Sequence, residues 1–315
     1  MSQVHQVAKK ISAIICTHNR DRYLGLAIDS LLAQTLAPES FEIIVIDNAS
    51  TDQTRSVVEA RQASGQVRYI YESTLGLSTA RNTGAQAAVA PILAYLDDDA
   101  VATPEWLSEL LVAYEQDDRL AIAGGKVTLI WTDGMISPAW LSGELAGNLG
   151  AYDLGDRERS ITVPGQTPRG LNYSIRQAFL QEVGGFDPNL GRVGTNLLSN
   201  EELHMTALAL GNQWNVAYLP KALVAHHVAP ERVNRSWFLQ RGWWQGISEC
   251  YREEIAGESG WGQFPRGLER LVRGLYKSVK FIRQPETCFE NLVYTYGQLA
   301  YLQKAVQSAI GPKSS

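Results

Sequence analysis

Ile92-Leu93-Ala94-Tyr95-Leu96-Asp97-Asp98-Asp99 runs five apolar or aromatic residues straight into three carboxylates. A short apolar run that ends abruptly in polar residues reads as a strand covered on both faces. The chain before it repeats the theme. Ile11 to Cys16 is a β-branched run, Phe41 to Ile46 a second that ends on Asp47, and Val67 to Tyr71 a third. Helical spacing fills the gaps. Asp21 to Gln34 carries Leu24, Ala27, Ile28, Leu31 and Leu32 on one face, a second helix reaches about Ala63 from a cap at Ser50 or Asp52, and Ser78 to Ala88 is a third. This β-α alternation predicts an α/β fold, a Rossmann-like, mostly parallel open sheet with helices on both faces. In such sheets ligands sit beyond the carboxyl ends of the strands, where Thr17, Asp47 and the acidic triplet fall.

The 315 residues suit one large domain or one domain with an appendage. Hydrophobic residues at 45% and charged ones at 19% can bury a proper core. A net charge of −5 argues against a nucleic-acid binder that relies on bulk positive charge. That figure hides a split. Residues 262–315 hold eight basic and three acidic residues, a net of +5, so the remainder stands at −10, a prompt to look for an anionic partner at the basic end. Cys16, Cys250 and Cys288 show no C-x-x-C pairing, which fits a reducing compartment. Met1 to Lys10 is polar and no apolar run approaches spanning length, so the expected location is the cytoplasm or the inner face of its membrane.

Three carboxylates at one strand end repel one another unless a cation joins them. Oxygen ligands suit Mg²⁺ or Mn²⁺, ions that commonly bridge carboxylates to a diphosphate. Four segments then stand in a telling order: Cys16-Thr-His-Asn-Arg20, Ile46-Asp-Asn-Ala-Ser-Thr-Asp52, Gly76-Leu-Ser-Thr-Ala-Arg-Asn-Thr-Gly84 and Leu96-Asp-Asp-Asp99. Together they resemble the family 2 glycosyltransferases of the GT-A fold. The resemblance implies that Thr17 and Asp47 hold the base of a nucleotide-sugar, and that Asn19 and Arg20 also bind the nucleotide-sugar. It sets Arg81 and Asn82 by the nucleotide, where an arginine can pair with phosphate oxygens. It places Asp97 or Asp98 near the ribose and gives the metal to Asp99 first, with Asp97 as a second candidate. Asn48 departs from the pattern, since many members carry a second Asp there. Taken singly, Arg81 also reads as a carbonyl cap, Asp47 as an N-cap, Thr17 as a strand end, and Gly84 as a point of close backbone approach or helix packing.

The second half supplies a candidate base. Glu201-Glu202 opens a predicted helix over Glu201 to Leu210, where related transferases carry an acidic pair whose second member takes the acceptor's proton. Acids in a first helical turn also satisfy the dipole. Gly170 to Arg176 and Glu182 to Asp187 resemble the acceptor-side segment that leads into the base, with Asn172 in the stretch facing the donor. Asn215 to Leu219 and Ala222 to His226 read as two short strands. Adjacent residues on a strand point to opposite faces, so at most one of His226 and His227 faces the site, and the family pattern puts His226 on the metal. Residues 131–168 read as a long irregular loop able to close over the donor.

Three helices are expected at about 235–256, 265–283 and 286–309. Trp237 to Gln245 has some likeness to the Q-x-x-R-W signature of processive synthases, but Gln240 and Arg241 adjoin, and the processive reading fails. Residues 170–250 are more similar to bacterial family members associated with exported polysaccharide, including the hormogonium polysaccharide glycosyltransferases. In the 265–283 helix Arg266, Arg270, Arg273, Lys277 and Lys280 form one stripe, and apolar residues lie largely on the other side. Such a helix suits an anionic membrane surface as well as ordinary packing on the core. The expectation is a catalytic domain over 1–232, with a nucleotide-sugar half to about 130 and an acceptor half beyond, and a helical extension over 233–315. Its activity would be metal-dependent, inverting transfer from a nucleotide-sugar, UDP-sugar favoured, to a glycan or lipid-linked acceptor. A nucleotidyltransferase would carry a glycine-rich phosphate loop after the first strand, and none precedes Gly25. A non-catalytic nucleotide-sugar-binding protein would lack a base.

Overall fold

The computed structural model describes residues 8–132, 134–194, 196–258 and 260–310. In chain order the elements are β1 (Ile11–Thr17), α1 (Asp21–Leu32), β2 (Phe41–Asn48), α2 (Thr54–Gln62), β3 (Val67–Glu72), α3 (Leu77–Ala87), β4 (Ile92–Leu96), β5 (Ala100–Ala102) and α4 (Trp106–Gln116). There follow β6 (Leu120–Trp131), α5 (Gly143–Ala146), β7 (Arg159–Ser160), β8 (Asn172–Arg176), α6 (Gln177–Glu182), α7 (Glu201–Gly211) and β9 (Asn215–Val228). Three long helices close the chain: α8 (Arg235–Ile255), α9 (Gly260–Lys280) and α10 (Pro285–Ile310).

The strands form one sheet in the order β3-β2-β1-β4-β8-β6-β9-β5, with β7 paired to β9. β1 to β4 pair in parallel, as the alternation predicts. Burial explains their sequences. All eight residues of β2 and all five of β4 are buried, so neither strand can alternate apolar with polar. Beyond β4 the pairing turns antiparallel, β8 against β4 and β6, and β9 against β5 and β7. Gly124-Gly125 lets β6 lie between close backbones. A Cβ at Gly124 would sit 2.2 Å from the Asn172 carbonyl oxygen, and one at Gly125 2.0 Å from that of Ala222. Gly84 is likewise a packing glycine, because a Cβ there would meet Ile14 at 2.7 Å and push α3 off β1.

One strand differs from the sequence expectation. β9 runs unbroken through Pro220, where two strands are expected. It pairs with β7 and β5 on either side of the proline, through Ala217 and Tyr218 and again from Val224 to His226, so the missing N–H interrupts neither ladder.

The chain resolves into two compact units. The first gathers residues 1–130, 150–189 and 201–227, and contains the sheet and its covering helices. The second gathers 131–149, 190–200 and 228–315. In it α10 packs along both α8 and α9, through glycines where the helices approach. A Cβ at Gly246 would lie 1.9 Å from the Gly297 carbonyl oxygen. Trp140, from the stretch expected as a loop, sits edge-to-face on Phe238 and Phe289. No helix among the described residues is long and apolar enough to cross a membrane.

Candidate active site

The parallel strands end as the alternation demands, and their register sets Thr17 beside Asp47 and Asp47 beside Tyr71. Asp47 is buried and accepts from the Tyr69 hydroxyl at 2.7 Å and from the Ser50 N–H at 2.9 Å. Burial and that hydrogen bond push the Tyr69 phenol up to about 12, so it stays a donor. Each Asp47 oxygen keeps a second lone pair that a base N–H can use. The loops after β1 and β2 are clasped together. Asn19, at φ 52°, accepts from the Thr51 N–H at 2.7 Å while its own N–H donates to Ser50 Oγ.

Asn48, where the family resemblance implies a second Asp, has a task that needs an amide. Its Nδ2 donates to the Glu72 and Thr74 carbonyls, and its Oδ1 accepts from the Gly76 N–H at 2.8 Å. A carboxylate could not make the two donations. The side chain thereby ties the end of β2 to the loop that starts α3.

The acidic triplet turns the chain from β4 into β5, with the Ala100 N–H closing the turn on the Asp97 carbonyl. β5 then pairs with β9, and Ala100 stands opposite His226. That register carries His226 Nε2 to 3.0 Å from Asp99 Oδ1, while Arg20 Nη1 reaches Asp99 Oδ2 at 3.0 Å. His227 points elsewhere and stacks on Tyr23, ring centroids 4.8 Å apart. Burial holds the His227 imidazole below its ordinary value, against the pull of Asp99. Asp98 is also buried, and burial with the charge of Asp99 pushes its carboxyl up to about 7 although Arg20 works the other way.

Whether these residues suit a divalent cation is a question of donors and charge. A carboxylate and an imidazole already meet at 3.0 Å, and the adjoining acid is raised by burial and by the charge of Asp99. Both features fit a Mg²⁺- or Mn²⁺-type ion that takes its remaining ligands from a diphosphate and water. Among the described residues no three His, Cys, Asp or Glu side chains form a ready cage. Asp99 and His226 are the pair brought together, and Asp97 is not gathered with them. Asp97 instead adds its charge to the surroundings of Arg81.

Arg81 departs most from the sequence expectation. Its guanidinium is buried, with Nη1 3.2 Å from Glu201 Oε1 and Nη2 3.0 Å from Glu202 Oε1. It also lies over the Phe186 and Tyr95 rings, and its carbonyl accepts from the Tyr95 hydroxyl. Burial opposes its charge, yet Glu202, Glu201 and Asp97 raise its pKa well above the ordinary guanidinium value. Gly170 makes room for the pair. A Cβ there would fall 1.8 Å from Glu202 Oε1 and 2.4 Å from Arg81 Nη2. Thr167 holds the start of α7 through the Glu202 carbonyl and the Thr206 hydroxyl. Of the two acids Glu202 is the more open, its side chain 15% exposed against 5% for Glu201.

Two further residues of the sequence set have structural tasks here. Asn82 brackets the backbone of Phe186, donating to its carbonyl at 2.8 Å and accepting from its N–H at 2.9 Å. Asn172 is fully buried and does not face open space; it accepts from Trp106 Nε1 and donates to the Ala222 and Lys126 carbonyls. Both pair with backbone or side-chain groups dozens of residues away, so no local pattern announces them.

Relatives can now be set beside this geometry. A glucosyl-dolichyl phosphate glucuronosyltransferase of Haloferax volcanii is 28% identical over 244 residues, 76% of each chain. An uncharacterized glycosyltransferase of Nostoc is 36% identical over 187 residues, 58% of this chain and 56% of that one. Among solved structures, a mannosyltransferase from Pyrobaculum calidifontis in complex with GDP-Man and Mn²⁺ superposes with a TM-score of 0.57 at 16% identity, over 97% of this chain and 76% of that one. The fold is of the GT-A type. The family description Glycosyl transferase family 2 matches residues 12–171, a span from β1 to the Gly170 that faces Glu202. With just over half of its length inside that match, the chain belongs to glycosyltransferase family 2.

Proposed function

We propose that this glycosyltransferase is divalent-metal-dependent and inverting, and moves a sugar from a nucleotide diphosphate donor, UDP-sugar favoured, to a glycan or lipid-linked acceptor hydroxyl. The observation that carries the reading is the buried Arg81–Glu202 pair over Gly170, a carboxylate held in place in the same unit as the Asp99–His226 pair. Glu202 takes the acceptor's proton as its oxygen attacks the anomeric carbon. The bond from that carbon to the diphosphate oxygen breaks with its electron pair, and the diphosphate leaves. One direct displacement inverts the carbon. Glu201 shares Arg81 and helps fix it. Asp99 and His226 would hold the ion, which offsets the negative charge on the leaving diphosphate. Thr17, Asn19, Arg20, Asp47 and Asp98 line the nucleotide end, Arg20 exchanging Asp99 for phosphate oxygens.

The mannosyltransferase bound to GDP-Man and Mn²⁺ supports the donor class and the cation, and the dolichyl-phosphate relative supports a lipid-linked acceptor. A role in polysaccharide or glycan synthesis follows from such an acceptor, and residues 265–283 would bring the enzyme to the membrane that carries it. The test is a donor screen across nucleotide-sugars, scored by released nucleoside diphosphate with Mn²⁺ or with chelator. Release from one sugar class that chelation abolishes is expected. Turnover unaffected by chelation would sink the metal's part, and nucleoside monophosphate with a sugar phosphate as products would sink the transfer.

A further inference from the structure

The helix α9 has three faces, and the structure sorts them in an unusual way. Its buried side is made of small or polar residues, Gly260, Gln263, Gly267, Gly274 and Ser278. The three glycines press on α10 so closely that a Cβ at Gly274 would lie 2.5 Å from Thr295 Oγ1, and one at Gly267 2.8 Å from Leu302 Cδ2, while Gln263 bonds to Cys250 of α8. No larger side chain fits that seam, so the helix cannot roll its bulky residues inward. Leu268, Val272, Leu275, Tyr276, Val279 and Ile282 are consequently all exposed, Val279 by 71% and Ile282 by 70%. They fall at steps of 4, 3, 1, 3 and 3, which puts them on one side of a helix. Trp261 continues the same side towards the start of the helix and is also exposed.

An ordinary surface helix buries its apolar stripe and shows its charges. This one shows both. Six basic residues and one acid, Glu269, stand between Arg266 and Arg283. Arg270 is spent on Glu249, and Arg266 on Glu258. Arg273, Lys277, Lys280 and Arg283 lie exposed on the same segment as the apolar stripe. Beside α9, α10 exposes Leu292, Tyr296 and Leu299 at steps of 4 and 3.

We propose that the apolar stripe that runs from Trp261 along α9 to Ile282 in the turn just after it is the part of the molecule that inserts into an anionic lipid surface, with Arg273, Lys277, Lys280 and Arg283 reaching the headgroups. The inference deepens the membrane contact of residues 265–283 proposed above and rests on that reading. It settles on a face where the sequence reading named none: the apolar side makes the principal contact, with the basic stripe at its edge. Charge selects the occupant. Two copies meeting face to face through α9 would set a net +5 against another +5, whereas an anionic leaflet complements it. Long basic side chains at the edge of an apolar face can extend their stems over lipid and keep their charge among headgroups.

The test is co-sedimentation of the full chain with phosphatidylcholine vesicles, with and without phosphatidylglycerol. Wild type should pellet with the anionic vesicles, and added salt should weaken but not abolish this. Val272→Glu with Val279→Glu should lower the partition by about tenfold or more. Lys277→Ala with Lys280→Ala should lower it less and remove most of the salt dependence. Unchanged thermal unfolding of the variants confirms that they fold. Quenching of Trp261 by brominated lipid, read against Trp261→Phe, locates the stripe in the bilayer. Wild type left in the supernatant, or a Glu pair that pellets like wild type, would overturn the proposal. So would a wild-type dimer that the Glu pair converts to monomer without any vesicle binding. Donor hydrolysis measured in parallel separates the two readings: pelleting without hydrolysis would spare the membrane face and sink the transferase reading, and hydrolysis without pelleting would do the reverse.

Discussion

The sheet unit buries two acidic clusters, and they are built in opposite ways. Glu201 and Glu202 face an arginine whose side chain is 3% exposed, backed by two aromatic rings and fitted over a glycine. Asp98 and Asp99 face an arginine that is 30% exposed, and a histidine. The first cluster has a permanent counter-charge. The second has one that can swing away, and one of its acids is pushed up to about 7 by burial and by its neighbour. A fixed pair suits a base that must hold one position through the reaction. A loosely compensated pair suits a site that exchanges its partner for a metal–diphosphate.

Breaking the loose cluster should cost catalysis more than stability. Asp99→Ala is expected to lower turnover about 10²- to 10³-fold. It should also weaken Mn²⁺ binding in the presence of nucleoside diphosphate, measured by calorimetry, while the melting temperature moves little. Breaking the tight cluster should show in the fold as well. Arg81→Met leaves two buried carboxylates uncompensated and should cost about 3–5 kcal/mol in denaturant unfolding. A rate loss with unchanged stability would contradict the account of Arg81 as an anchor.

A smaller effect sharpens the same contrast. Gly170→Ala adds one methyl where Glu202 and Arg81 meet. The carboxylate must shift, at about 1–3 kcal/mol, and turnover should fall with little change in donor KM. Smallest of all, Arg20→Met removes a partly exposed partner from Asp99. Its cost to stability should stay under about 1 kcal/mol, with the loss appearing instead in donor affinity.

Much of the second cluster's frame and all of the parallel half of the sheet could be read from the chain. Buried parallel strands are continuous apolar runs, and Asp47 and Asp97 to Asp99 mark where they stop. Strand alternation turns His226 and His227 to opposite faces, and it is the family resemblance, not the alternation, that picks His226 and Asp99. The pairing of Arg81 could not be read. Its partners lie 120 and 121 residues away, and an arginine beside phosphate-binding segments looks the same whether it serves a phosphate or a glutamate. Asn48, Asn82 and Asn172 were hidden for a similar reason, because a buried amide is recognised by the carbonyls it meets and those come from distant strands. For α9 the periodicity was plain, but which face turned outward depended on a glycine seam with α10 that only packing reveals.

The most direct test of the central claim is Glu202→Gln, assayed for transfer and for donor affinity together. The substitution keeps the shape of the side chain and removes its ability to take a proton. Turnover should fall by about 10²- to 10⁴-fold while donor affinity stays near wild type. Full transfer or donor hydrolysis by Glu202→Gln would contradict the assignment of Glu202 as the base.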